Sequence, residues 1–217
     1  MKKIVFCVVV FGFILKGNTS FCQITNSIGI TMIKVEGGTF TMGRNDDSFE
    51  KPEHQVTVDG FYIGETEITN RQYKRIMNND TTWDEYSSNP KRWLSWYLAV
   101  EFCNKLSEYE GLKPFYTIDK TRKDPNNLLS HDKLKYLVTY NWDADGYRLP
   151  FEAEWEFAAR GGNKSKGYIY CGGNDPSLVG FFKAKGNSTL EVSSLLPNEL
   201  GLYDMSGNVE EYCNDWK

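Results

Sequence analysis

Apolar positions recur along this chain with two periods, and the changes of period mark its elements. Ile33 to Val35 and Thr39 to Met42 are short β-rich runs on either side of Gly37-Gly38, an arrangement that predicts a hairpin. From Gln55 to Asp59 polar residues alternate with Val56 and Val58, and Phe61, Tyr62 and Ile63 prolong the run, so a half-buried strand is expected. The period then lengthens. Tyr73, Ile76 and Met77 fall at helical spacing behind Thr69, whose hydroxyl can cap the first turn. A second helix is expected behind Ser95, with Leu98, Ala99, Phe102, Cys103 and Leu106 as its apolar stripe and Gly111 as a left-handed stop.

Residues 120–135 are polar and contain Asp124-Pro125-Asn126-Asn127, an exposed excursion ahead of the β-rich run Tyr136 to Tyr140. A third helix is expected from Glu152 to Arg160, burying Trp155, Ala158 and Ala159 between Ala153 and Glu156 and ending at Gly161-Gly162. Residues 163–198 are rich in Gly and Asn with few periodic positions, which predicts long loops. Short elements of both kinds, without internal repeats, describe an irregular α+β domain.

The N-terminus has a pattern of its own. Lys2 and Lys3 precede an apolar run from Ile4 to Leu15 and a polar stretch from Lys16 to Ser20, the layout of a secretory signal peptide. The run is about a dozen residues, short of the roughly 20 needed to span a bilayer. Ser20 and Cys22 suit the positions before a cut that leaves Gln23 as the new terminus. The alternative is lipid attachment at Cys22, although Thr19 stands where such a site prefers a Leu-like residue. The expected organisation is residues 1–22 as leader, 23–32 as an N-terminal extension and 33–217 as one domain. The expected location is secreted, periplasmic or cell-envelope, with membrane anchoring only if Cys22 is lipidated.

A formal charge of −4 and a pI near 5.4, with lysines scattered rather than striped, argue against nucleic acid as a partner. Cys7 lies in the leader and Cys22 at its edge. Cys103, Cys171 and Cys213 are far apart without CxxC spacing, so no zinc or iron–sulfur site is indicated and any disulfide pairing stays open. Cys103 falls within the second helix's stripe and reads as core. His54 and His131 have no nucleophile or acid at a suggestive spacing. Asn141, Asp143, Asp145, Gly146 and Glu152 nearly match a calcium-loop pattern, but a strand precedes them and Pro150 interrupts them, so the match reads as coincidence. The abundant tryptophans and tyrosines suit an aromatic core better than a sugar platform. Asp204, Gly207, Glu210 and Glu211 form a compact oxygen-rich loop, a sensible place for a hard cation such as calcium.

Taken in order, Gly37-Gly38-Thr39-Phe40-Thr41-Met42-Gly43, Pro52-Glu53-His54-Gln55-Val56, Glu67-Ile68-Thr69-Asn70-Arg71-Gln72-Tyr73, Gly146-Tyr147-Arg148-Leu149-Pro150, Glu152 to Gly162 and Pro197 to Val209 resemble the formylglycine-generating enzyme, or sulfatase-modifying factor, family. The resemblance runs from Ile33 to Trp216. It implies a C-type-lectin-like α+β fold. It implies calcium held by the side chains of Asp204 and Glu211 and the backbone carbonyls of Gly207 and Val209. Enzymes of the family oxidise a sulfatase cysteine to formylglycine with oxygen and copper on a cysteine pair nearer the C-terminus, and soft thiolates suit Cu(I). This sequence closes at Cys213-Asn214-Asp215-Trp216-Lys217 without that segment. The expectation is therefore a truncated fold, incomplete at the C-terminus, with no catalytic residues and no copper site in this chain.

Two departures from the family are visible. Phe151 stands where a Thr would complete a capping box with Glu154, and Glu210 and Tyr212 replace tryptophans. The resemblance implies an exported, bacterial family member linked to sulfatase maturation, with a sulfatase or another exported protein as partner. The alternative is a non-catalytic lectin-like binding or scaffold module of the cell envelope, of the gliding or secretion lipoprotein type. A sugar-binding module using surface aromatics is a third possibility.

Overall fold

The computed structural model describes residues 10–11, 23–46, 50–84, 86–130, 132–182 and 188–215, with backbone alone at Val10 and Phe11. Most of the expected leader, with Cys7 and Cys22, lies outside the described residues, as do His131, Trp216 and Lys217. The strands are β1 (Val10–Phe11), β2 (Gln23–Thr25), β3 (Thr31–Val35), β4 (Gly38–Met42), β5 (His54–Val58), β6 (Phe61–Gly64), β7 (Tyr116–Lys123), β8 (Tyr136–Tyr140) and β9 (Tyr147–Arg148). The helices are α1 (Asn70–Asn78), α2 (Trp96–Tyr109), α3 (Glu152–Ala159) and the one-turn α4 (Pro176–Val179).

A five-stranded sheet in the order β2-β3-β6-β1-β9 forms the centre. All four residues of β6 are buried, which period-2 side-chain alternation explains only if both faces are covered. They are. Met32 and Tyr62 point into a core with Tyr73, Phe102, Cys103 and Leu106 of α1 and α2. Ile33, Val35, Phe61 and Ile63 point the other way, onto Phe157 and Ala158 of α3 and onto Leu202 and Met205. Residues 23–32 add strand β2, which pairs with Thr31–Ile33. Within the expected leader, Phe11 pairs with Tyr62 of β6, and Val10 and Phe11 pair with Arg148 and Tyr147 of β9.

The expected hairpin across Gly37-Gly38 does not form. β3 pairs with β6, whereas β4 pairs with β5 in a separate two-stranded sheet. Gly37 marks a close passage of chain rather than a tight turn: a Cβ there would lie 2.7 Å from the Val58 carbonyl oxygen and 2.8 Å from the Gly60 nitrogen. The expected continuous strand from Gln55 to Ile63 likewise divides at Asp59-Gly60 into β5 and β6, one for each sheet.

Both capped helices form as the sequence predicts. Thr69 accepts from the Gln72 backbone N–H while the Gln72 side chain accepts from the Thr69 N–H, closing a capping box on α1. Ser95 accepts from the Leu98 N–H at α2, and Gly111 follows its end at φ +74°. Leu98 itself is 37 % exposed, and the buried face of α2 is Trp96, Ala99, Val100, Phe102, Cys103 and Leu106. Packing against both sheet and α1 shifts the stripe away from Leu98. On α3 the buried residues are Phe157, Ala158 and Ala159, with Trp155 only half-buried.

Of the polar excursion, residues 120–123 continue strand β7, and the described residues from 124 to 135 form the tip of the β7–β8 hairpin. The residues of the calcium-loop near-match serve as turn and cap groups. Asn141 Oδ1 accepts from the Asp143 N–H, and Asp145 Oδ1 accepts from the Lys113 N–H.

A buried carboxyl cluster as the candidate functional site

The loop from Asp204 to Glu211 is shaped by backbone that only certain residues tolerate. Asp204, Gly207 and Asn208 all have positive φ, at 60°, 109° and 59°. Asp, Asn and Gly are the types that enter this region most readily. Gly207 pairs in a parallel bridge with Phe181, whose carbonyl a Cβ at Gly207 would strike.

Three carboxyl groups around this loop lie near enough to feel one another's charge. Asp204 is 6 % exposed and accepts from the Ser193 N–H at 2.7 Å. Glu211, half-buried, accepts from Trp155 Nε1 at 3.2 Å. The third is Glu67, in the link between β6 and α1, and it is 1 % exposed. Asn208 Nδ2 donates to Glu67 Oε2 at 3.4 Å, but Oε1 is buried with no donor. The Tyr203 N–H donates to the Glu65 carbonyl at 2.9 Å, holding the loop against this link.

No lysine, arginine or histidine among the described residues pairs with these carboxyls. Burial therefore raises all three. Glu67 lies well above the ordinary carboxyl range, through desolvation first and then the charges of Asp204 and Glu211. Asp204 is raised by burial against the opposing Ser193 bond, and Glu211 is pushed up to about 8, mainly by burial. The charge of Asp204 further disfavours that of Glu67, so a cation entering between them would favour the ionised form of both.

The donor set fits a hard cation: carboxylate oxygens and turn carbonyls, without soft ligands. Among the described residues, no three Asp, Glu, His or Cys side chains already converge at ligating distance, so a cation would draw the carboxyls together and need backbone carbonyls as well. Copper fits less well. None of Cys103, Cys171 and Cys213 is in a disulfide, and Cys103 is fully buried. Burial pushes the Cys171 and Cys213 thiols up, with Glu211 adding to the effect at Cys213, so neither is a ready thiolate at neutral pH.

Residues 23–217 match the sulfatase-modifying factor enzyme 1-like domain. The chain belongs to this family. Over 85 % of its length it is 39 % identical to the chaperone protein LppX of Paenibacillus barcinonensis, covering 71 % of that protein. It is 26 % identical to the formylglycine-generating enzyme of Mus musculus, again over 85 % of this chain but only 58 % of the enzyme. Among solved structures, Treponema denticola variable protein 1 superposes with a TM-score of 0.74 and 30 % identity, over 91 % of this chain and 78 % of that one. The α+β family fold follows.

Asp204, Gly207 and Glu211, singled out in the sequence, lie in one loop with Val209. Glu67 was not singled out as a ligand. Its signal was an acid three residues past the apolar strand β6, at the head of the family-like block Glu67 to Tyr73. His54 is exposed, with Nδ1 3.0 Å from the Pro52 carbonyl oxygen.

Proposed function

We propose that this chain is a calcium-stabilised sulfatase-modifying-factor-family domain of the cell envelope that works by binding rather than by oxidising cysteine. The observation that carries the calcium part is Glu67, a fully buried carboxyl with an oxygen lacking any donor, beside Asp204 and Glu211. The cation would be held by Glu67, Asp204 and Glu211 with the carbonyls of Gly207 and Val209. It would neutralise the carboxylates and pin residues 204–211 to the β6–α1 link. Its role would be structural.

The binding part is supported by two observations: burial pushes the Cys171 and Cys213 thiols up, and identity to the chaperone-named relative exceeds that to the mouse enzyme. The partner would be an exported protein. Formylglycine generation on a sulfatase is the second reading, favoured by the similarity to the mouse enzyme. Export rests on the N-terminal pattern. Removal of residues 1–22 would unpair the edges of β6 and β9 that β1 now joins.

Calorimetric titration of the chelated protein with calcium tests the first part. One bound ion with a rise in Tm supports it, and no heat and no shift reject it. Incubating the protein with copper, oxygen and a cysteine-containing sulfatase peptide tests the second, because aldehyde formation would replace binding with oxidation. N-terminal sequencing of protein recovered from the envelope checks for a start at Gln23.

A further inference from the structure

On the exposed side of α1 lies a cleft of about 740 Å³, bounded by the Ser27–Gly29 turn, residues 80–83, residues 87–88 and residues 191–193. That volume is in the range of small-ligand sites. Two guanidiniums one helical turn apart, Arg71 and Arg75, stand in it. Neither is in an ion pair among the described residues. Each is instead placed by an aromatic ring. Arg71 lies 4.9 Å from the ring centroid of Trp83. Arg75 lies 5.7 Å from that of Tyr109 and donates to its hydroxyl at 2.9 Å. Trp83 is 64 % exposed and Tyr109 46 %, so both rings remain open to a ligand.

The rest of the lining selects among anions. Asp80 and Glu191 also face the cleft, alongside serine and threonine hydroxyls and Gln72. A simple anion has no use for carboxylate acceptors. A polyhydroxylated ring does, because its hydroxyls donate to them, its C–H face lies on aromatic rings and a ring carboxylate fits the guanidinium fork. We propose that this cleft binds an acidic saccharide, with its carboxylate on Arg71 and Arg75 and its ring against Trp83 and Tyr109.

This goes beyond the calcium reading and does not depend on it. Ser193, which donates to Asp204, lines the cleft, so titrations are run both in calcium and in chelator to keep the two readings apart.

The test is calorimetric titration of the full chain with tetragalacturonic acid, its methyl-esterified form and a tetraglutamate peptide. The acid should bind at least tenfold more tightly than either control. Arg71→Gln and Arg75→Gln should each weaken it at least tenfold, while Arg122→Gln, at an exposed arginine on β7, should not. Where a Gln variant melts early, the Arg→Lys variant is used and should lose affinity to a lesser degree. No binding of the acid, equal binding of the ester, equal binding by both cleft variants, or preference for tetraglutamate would each overturn the proposal, the last by making the cleft a site for acidic peptides.

Discussion

Tyr116 and Asn214 meet in the protein interior: the Tyr116 hydroxyl donates to Asn214 Oδ1 at 2.8 Å while accepting from the Leu149 N–H at 3.0 Å. One phenol thus ties β7, the segment after β9 and the 214 turn together, and the Asn214 N–H completes the link by donating to the Pro150 carbonyl at 2.7 Å. Tyr116→Phe keeps the ring and removes the hydroxyl, leaving a buried donor and a buried acceptor unsatisfied. A loss of about 1–3 kcal/mol is expected. Urea denaturation should show a lower midpoint with an unchanged slope.

The raised carboxyls give the chelated protein a defined pH dependence. Glu211 has an ordinary value of 4.5 and is pushed up to about 8 in the fold. The folded state therefore holds a proton that the unfolded chain releases, and the associated stability is complete below about 4.5 and lost as pH rises towards 8. Glu67 and Asp204 are raised too and act in the same direction. In chelator, Tm should fall between pH 5 and pH 8, and calcium should flatten that fall. A curve unaffected by calcium at pH 8 would refute the cation site.

Glu67→Gln separates charge from shape. The amide removes an ionisable group from a site that disfavours its charge, so in chelator at pH 8 the variant should melt no lower than the native protein. It should also lose most of the calcium-induced rise in Tm. A variant that is unstable in chelator yet still responds fully to calcium would make Glu67 a packing residue only.

Arg148 and Glu154 form a two-pronged ion pair, with both N···O distances 2.7 Å and side-chain exposures of 17 % and 13 %. Glu154 also accepts from the Phe151 N–H at 2.8 Å, so α3 keeps half of a capping box although Phe151 makes no side-chain cap bond. Glu154→Gln should cost about 3 kcal/mol, because it leaves a buried guanidinium without its counter-charge. Thermal or urea unfolding measures it.

Local chemistry explains what was legible. Thr69 with Gln72, and Ser95 with Leu98, bond across three residues, so both helix starts can be read from adjacent letters. The turn of Asp204, Gly207 and Asn208 is written in the residue types that accept positive φ. Strand partners were not legible. Ile33–Val35 and Thr39–Met42 flank a glycine pair, as hairpin strands do, yet the contacts of Gly37 with Val58 and Gly60 send them to different sheets.

The sequence by itself determined the three longer helices and the caps of α1 and α2, the family and the oxygen-rich loop, because each depends on residues near one another in the chain or on an ordered set of blocks; the short α4 lies in the stretch expected to be loop. The tertiary structure alone decided that Glu67 joins Asp204 and Glu211, and that Arg71 and Arg75 share a cleft with Trp83 and Tyr109. Burial and charge proximity are properties of the packed chain: folding brings the β6–α1 link against a loop more than a hundred residues later, and that approach makes an ordinary glutamate into an unsatisfied one.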